Sequence, residues 1–73
     1  MGLDQVKLGS SAVVRKIDME QAWINRLQDF GLVPGTKVIC RYRTPCGRVT
    51  ALSFRGMVLA MRTRDLKKIR VQG

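Results

Sequence analysis

The sequence predicts a mainly β fold, a small barrel of about five strands with one α-helix between the first and second strands. Three observations predict it. Short runs of alternating side chains recur between turns rich in glycine and proline, one segment has the apolar spacing of a helix, and the chain has only 73 residues. That length indicates a single domain, residues 1–73, with one modest core. A partly open barrel suits such strands, because closure removes most exposed sheet edges.

The first strand and the helix occupy the first half of the chain. Residues 12–17 alternate, although their two faces are not cleanly separated. Asp18 then offers an N-cap, and Gln21 three residues later completes a variant of the capping box. Apolar side chains follow at helical spacing in one stripe, which we interpret as core packing. The stripe consists of Met19, Trp23, Leu27 and Phe30, with Ile24 beside them. Gly31 ends the helix as a C′ residue.

A tight turn joins this helix to the second strand. Pro34 presets φ and Gly35 accepts a positive φ, so the pair suits such a turn. From Thr36 the chain alternates as a strand does. The side chains predicted to face inward are Val38, Cys40 and Tyr42. Those predicted to face outward are Lys37, Ile39, Arg41 and Arg43.

The rest of the chain reads as short elements separated by turns. In order they are a hairpin tip at residues 44–47, a strand from about Arg48 to Phe54, a turn at Arg55 and Gly56, a strand at 57–62, a single helical turn within 63–68 and a closing strand at 69–72. An SH3-like small barrel accounts for this order, with the helix covering one end.

Charge is distributed very unevenly along the chain. Residues 1–36 carry equal numbers of basic and acidic side chains, whereas residues 37–73 carry ten basic side chains and Asp65 as their single acid. The whole formal net charge of +9 therefore belongs to the second half. A field of one sign attracts acidic protein surfaces, anionic lipid or nucleic acid, although a solvated surface that keeps the protein soluble is the simpler explanation.

Composition argues against several classes of function. The chain has no histidine, and no serine or cysteine stands beside an evident base, so we expect no enzyme. The first nine residues show neither a signal peptide nor a membrane span, which predicts a cytoplasmic protein. Two thiols supply half of a tetrahedral metal site, so we predict no cofactor; a transition-metal ion held between two copies through Cys46 stays an alternative. A disulfide between Cys40 and Cys46 is not favoured in a reducing compartment.

Several motifs resemble the FeoA family, the small ferrous iron transport protein A. They are Arg26-Leu27, then Gly31-Leu32 followed by Pro34-Gly35, then Pro45-Cys46-Gly47, then the stretch from Leu59 to Arg62. The likeness covers nearly the whole chain and implies an SH3-like domain. It also implies an accessory role in ferrous iron uptake, with FeoB as partner, the large membrane permease that carries a G-protein domain. One departure is that Arg48 and Val49 follow Gly47, where the family often has Asp-Pro.

We expect the partner surface at the hairpin tip, because loops on a small barrel are free to vary. Its residues are Lys37, Arg41, Arg43, Cys46 and Arg48. The same charges would be drawn to the anionic inner leaflet, so a peripheral membrane location is compatible. A basic nucleic-acid-binding barrel is the main alternative, but the exposed stacking aromatics that such proteins use are scarce. The chain is expected to be a monomer or a weak homo-oligomer.

Overall fold

The computed structural model describes residues 1–72, and within them it contains five strands and two α-helices. In chain order they are β1 (Ser11–Ile17), α1 (Gln21–Phe30), β2 (Lys37–Arg43), β3 (Val49–Phe54), β4 (Met57–Arg62), α2 (Thr63–Leu66) and β5 (Ile69–Gln72). A 3-10 turn, Leu3–Gln5, precedes β1 and was not predicted. The predicted succession of elements is confirmed, including the single helical turn after β4.

The five strands form one antiparallel sheet in the order β4-β3-β2-β1-β5. Consecutive strands from β1 to β4 are neighbours, as short turns require, and β5 returns to pair with β1. The edges of the sheet are β4 and β5, which α2 connects directly. The mainly β class with one helix between the first two strands is confirmed, and the sheet is open at those two edges.

The core lies on the inner face of this curved sheet and draws on nearly every element. Its fully buried large side chains are Leu3, Val14, Leu27, Leu32, Val38, Leu52, Leu66 and Ile69. Leu3 and Val6 come from the segment before β1, so that segment closes part of the barrel. Burying one such side chain contributes about 1.5–3 kcal/mol, and the sum offsets the entropy lost on folding.

Helix α1 begins later than its predicted cap. Its N-cap is Glu20, which makes no side-chain capping hydrogen bond. The prediction of Asp18 as N-cap was wrong, because the residue that follows β1 is held against the turn before β5: its amide donates to the Lys68 carbonyl at 2.7 Å. The Asp18 carboxylate instead forms an exposed ion pair with Lys16 at 3.3 Å, which adds little stability.

The apolar stripe of α1 is only partly core. Leu27 is 1% exposed, and Ile24 and Met19 are partly buried against the core. Trp23 and Phe30 are 42% and 36% exposed, so their prediction as core residues was wrong. The reason is geometric: the helix inserts a narrow ridge around Leu27, and the large aromatic side chains flank that ridge and line a groove beside β4.

The turn after α1 is built as predicted. Gly31 has φ 93°, and its amide donates to the Gln28 carbonyl at 2.9 Å, which ends the helix in a left-handed cap. Gly35 has φ 96°, and its amide donates to the Val14 carbonyl at 2.7 Å. Pro34 is exposed between them. The buried Thr36 hydroxyl donates to the Gly31 carbonyl at 2.9 Å and so closes the turn.

A bulge interrupts the alternation of β2. Cys40 pairs with Leu52, but Tyr42 pairs with Ala51, so Arg41 is the extra residue on this strand. One extra residue exchanges the two faces beyond it. Tyr42 is therefore 59% exposed, and its prediction as inward was wrong, whereas Cys40 is buried as predicted. Arg43, predicted to face outward, is half-buried for the same reason.

Candidate functional site

The β2–β3 hairpin tip is an ordered turn organised by Thr44. The Thr44 amide donates to the Val49 carbonyl at 2.9 Å, and the Gly47 amide donates to the Thr44 carbonyl at 2.8 Å. The Val49 amide in turn donates to the Thr44 hydroxyl at 3.2 Å. Gly47 takes φ 76°, a value that suits glycine in such a turn. The tip therefore presents Pro45 and Cys46 to solvent on a fixed backbone.

Basic side chains lie on both strands beside this tip, but Lys37 begins β2 and pairs with Val13, so it lies at the opposite end of that strand. We call the predicted partner surface the tip face; it comprises Lys37, Arg41, Arg43, Cys46 and Arg48. Lys37, Arg41, Cys46 and Arg48 are exposed. The bulge adds the exposed ring of Tyr42 to this surface, which the strand alternation did not reveal.

Arg43 differs from the other basic residues of the tip face. Its Nε donates to the Thr50 hydroxyl at 2.9 Å, and Thr50 is fully buried. The Thr50 and Thr63 hydroxyls are 2.8 Å apart and hydrogen-bonded. The Nη2 of Arg43 is buried and has no hydrogen-bond partner among residues 1–72. Arg43 therefore anchors the base of the hairpin and is not a freely solvated charge.

The two cysteines have opposite environments, and both are free thiols. Burial raises the pKa of the Cys40 thiol, and the nearby positive charge of Arg43 partly opposes that shift. The pKa of Cys46 is lowered, mainly by a hydrogen bond from the Thr44 hydroxyl 3.5 Å away and then by the Arg48 amide. Cys46 is thus the accessible and more readily ionised thiol.

Metal-binding geometry is limited in the part of the chain that the structure describes. Residues 1–72 hold no group of three or more cysteine, aspartate or glutamate side chains that could enclose a metal ion. Cys46 is the exposed thiol of that range. A metal bound at Cys46 would therefore need ligands from a second molecule.

A basic cavity of about 680 Å³ lies next to the tip. It is lined by the exit of the hairpin, the end of β4 and the α2 turn, with the residues Gly47, Arg48, Val49, Arg62, Thr63, Arg64 and Lys67. Of the cations that line this cavity, only Arg48 was predicted near the tip, because the other three follow it by fourteen or more positions in the sequence. The antiparallel pairing of Val49 with Arg62 brings them together.

A second depression, of about 480 Å³, runs between α1 and the edge strand β4. Trp23 and Phe30 form its helical wall, and Leu59 and Ala60 form its strand wall. The Arg26 guanidinium lies 5.7 Å from the centre of the Trp23 ring, a cation–π contact. The exposed aromatic residues of the helix are therefore part of a surface groove and not of the core.

The five-stranded antiparallel sheet, with helix α1 between its first two strands, defines a small SH3-like barrel domain. A family model described as the FeoA domain matches residues 1–73 of the chain. The chain belongs to the FeoA family, whose members are related to ferrous iron transport. Comparison with curated proteins gives no match.

Three solved structures support the assignment. The FeoA protein from Chlorobium tepidum is 35% identical, with a TM-score of 0.94 over 99% of this chain and 69% of that one. A FeoA-like protein from Clostridium acetobutylicum is 32% identical, with a TM-score of 0.84 over 99% and 84% of the two chains. FeoA from Stenotrophomonas maltophilia, described as a zinc complex and a procaryotic SH3 domain protein, is 26% identical, with a TM-score of 0.78 over 99% and 89%. The resemblance to the FeoA family and the SH3-like fold are confirmed.

Proposed function

We propose that this chain is a cytoplasmic accessory protein of ferrous iron uptake that binds the cytoplasmic face of an FeoB-type permease through its tip face. Family membership supports the link to ferrous iron transport. Within residues 1–72 no helix is long and apolar enough to cross a membrane. Any GTP hydrolysis would belong to the permease, and the chain would act by binding, as a monomer or a weak homo-oligomer.

The single observation that carries this proposal is the exposed positive charge of the tip face. Arg41 and Arg48 flank a turn whose backbone is fixed by Thr44, and Lys37 adds an exposed charge at the far end of β2. Complementary charge steers association with an acidic partner surface, and the fixed backbone limits the entropy lost on binding.

Anionic lipid of the inner leaflet is the second partner expected at this surface. Each basic residue close to an anionic membrane contributes about 1 kcal/mol to binding. The exposed cations of the tip face would add to permease binding by holding the protein near the membrane. A peripheral location at the inner membrane therefore accompanies the proposed cytoplasmic one.

The test reverses the exposed charges of the tip face in one triple variant, Lys37→Glu, Arg41→Glu and Arg48→Glu. Arg43 is left unchanged, because its guanidinium is hydrogen-bonded to buried Thr50. The matched control is Arg15→Glu, Lys68→Glu and Arg70→Glu, which changes three exposed residues of β1, of β5 and of the turn before it by the same charge. Binding to the purified cytoplasmic region of the permease is measured by calorimetry, alongside ferrous iron uptake in cells.

We expect the tip variant to lose roughly tenfold or more in affinity and to reduce uptake, and the control to change affinity by less than about threefold. Equal losses in both variants would show that only net charge matters. Undiminished binding by a folded tip variant would contradict the proposal, and the partner surface would then be sought near Gly31, Pro34 and Gly35 or near Arg62.

Two alternative functions each have one supporting observation. The exposure of Tyr42 beside Arg41 favours nucleic-acid binding, since aromatic rings among cations stack on bases. A mobility-shift titration at 50 and 200 mM salt tests it, because phosphate contacts weaken steeply with salt.

The lowered pKa of exposed Cys46 favours a transition-metal ion shared between copies. Stoichiometric zinc or iron binding that Cys46→Ser abolishes would support that alternative.

A further inference from the structure

The basic cavity beside the tip contains four cationic side chains, Arg48, Arg62, Arg64 and Lys67. All four are exposed, and none takes part in an ion pair, since Lys16–Asp18 is the one ion pair within residues 1–72. The closest acid along the chain, Asp65, lines the groove on the α1 side. Four like charges around one cavity repel one another, and a bound anion would relieve that repulsion.

The walls of this cavity are held by main-chain contacts. The Thr63 amide donates to the Arg48 carbonyl at 2.8 Å, which ties the start of α2 to the exit of the hairpin. Val49 and Arg62 are paired residues of β3 and β4. The backbones that carry three of the four cations are therefore fixed relative to one another before any ligand binds, and such preorganisation favours binding.

A fifth positive charge lies behind the cavity. Thr63 lines the cavity, its hydroxyl is hydrogen-bonded to Thr50, and Thr50 accepts from the Nε of Arg43. The partly buried guanidinium of Arg43 is screened less by solvent than the exposed cations are. It adds to the positive potential of the cavity.

The size and chemistry of the cavity restrict the kind of anion. A volume of about 680 Å³ falls within the range of small-molecule sites and exceeds what one inorganic phosphate ion occupies. Arginine guanidinium groups match phosphate oxygens in pairs of parallel hydrogen bonds. Val49 and the methylene stems of the arginine and lysine side chains offer an apolar lining for the organic part of a ligand.

We propose that this cavity binds a phosphate-bearing small ligand, with Arg48, Arg62, Arg64 and Lys67 contacting its phosphate groups. A soluble nucleotide and a phospholipid headgroup both present this chemistry. This site shares Arg48 with the proposed permease-binding surface. Arg64 and Lys67, in contrast, lie outside the tip face. These two residues allow the inference to be tested without altering the partner surface.

The test compares the double variant Arg64→Gln and Lys67→Gln with the control Arg15→Gln and Arg70→Gln, which removes the same charge from exposed strand positions. Pyrophosphate, ADP and GDP are titrated into each protein and followed by calorimetry and amide chemical shifts. The second arm measures sedimentation with vesicles of phosphatidylglycerol in phosphatidylcholine. We expect affinity for at least one probe to fall tenfold or more in the cavity variant and less than twofold in the control.

The outcomes separate the sources of phosphate. Soluble probes that shift the amides of residues 47–49 and 62–67 indicate a nucleotide-like ligand, whereas cavity-dependent binding to vesicles alone indicates a lipid headgroup. Equal weakening in the two variants would overturn the proposal, because it would show attraction to net charge only. Absence of binding to every probe at millimolar concentration would overturn it as well.

Discussion

The two halves of β2 differ in burial, with the bulge at Arg41 between them. Before the bulge, Val38 and Cys40 are fully buried, and the strand belongs to the core. After it, Tyr42 is exposed, Arg43 is half-buried, and the chain continues into the basic tip. A single extra residue, Arg41, thus separates a region that stabilises the fold from a region that is free to bind. Substitutions of the buried residues before the bulge should therefore change stability, and those of the exposed residues beyond it should change binding more than stability.

The largest expected effect on stability is at Leu27, the buried residue of helix α1. Leu27→Ala should lower the free energy of unfolding by about 2–5 kcal/mol, because it leaves a cavity under the helix. Such a loss is much of the stability of a small domain. Chemical denaturation followed by circular dichroism measures it. An unchanged midpoint would contradict the placement of Leu27 in the core.

Trp23 provides the matched comparison on the same helix. Although it is the larger side chain, Trp23→Ala should cost less than Leu27→Ala, about 1–2 kcal/mol, because the ring is 42% exposed. The same denaturation experiment tests it, and a cost equal to or above that of Leu27→Ala would show that the ring is packed in solution. A lower cost would agree with Trp23 lining a groove.

The contrast between these two residues shows what sequence can establish. Helical spacing identified the face of α1 that turns toward the sheet, and alternation identified the strands, because both depend on local periodicity. Which members of a stripe are buried depends on how closely the helix approaches β4, and no local pattern records that distance. Trp23 and Leu27 have equivalent spacing in the sequence but differ from 42% to 1% in exposure.

The part of the candidate site that comes from one continuous segment of the chain was predictable from the sequence. The tip face was placed from one hairpin, but the bulge at Arg41 leaves no mark in the alternation, so Tyr42 and Arg43 were assigned to the wrong faces. The basic cavity was missed because its cations come from segments joined by the register of β3 with β4. The excess of basic residues after residue 36 was the one available signal. It indicated that the second half of the chain is positively charged, but it did not indicate where on the surface the charges meet.

An intermediate effect is expected at Thr50, where the two regions meet. Thr50→Val removes the acceptor of the Arg43 Nε and the partner of the Thr63 hydroxyl, and should cost about 1–3 kcal/mol because it leaves buried polar groups unpaired. Combining it with Arg43→Met should recover part of that loss. A double-mutant cycle measures the coupling. Additive costs would show that Arg43 and Thr50 do not interact in solution.

The smallest effect on stability, and the sharpest chemical difference, is expected at the two thiols. Because the pKa of Cys46 is lowered, its alkylation should reach half-maximal rate at a lower pH than alkylation of a cysteine in an unfolded peptide. Cys46→Ser should leave the stability of the protein nearly unchanged. Thr44→Val should move the alkylation profile back toward higher pH, since it removes the hydroxyl 3.5 Å from the sulfur.

Cys40 should behave in the opposite way. Burial raises its pKa in the folded state, so the folded protein retains the thiol proton at a pH where the unfolded chain has lost it. The stability contributed by this group is therefore present below the pKa of an ordinary thiol and decreases as pH rises through and above that value. Alkylation of Cys40 should require unfolding, and its rate should follow denaturant concentration. Mass spectrometry of the labelled protein separates the two sites, and equal labelling of both thiols under native conditions would show that the core side of the bulge is open to solvent.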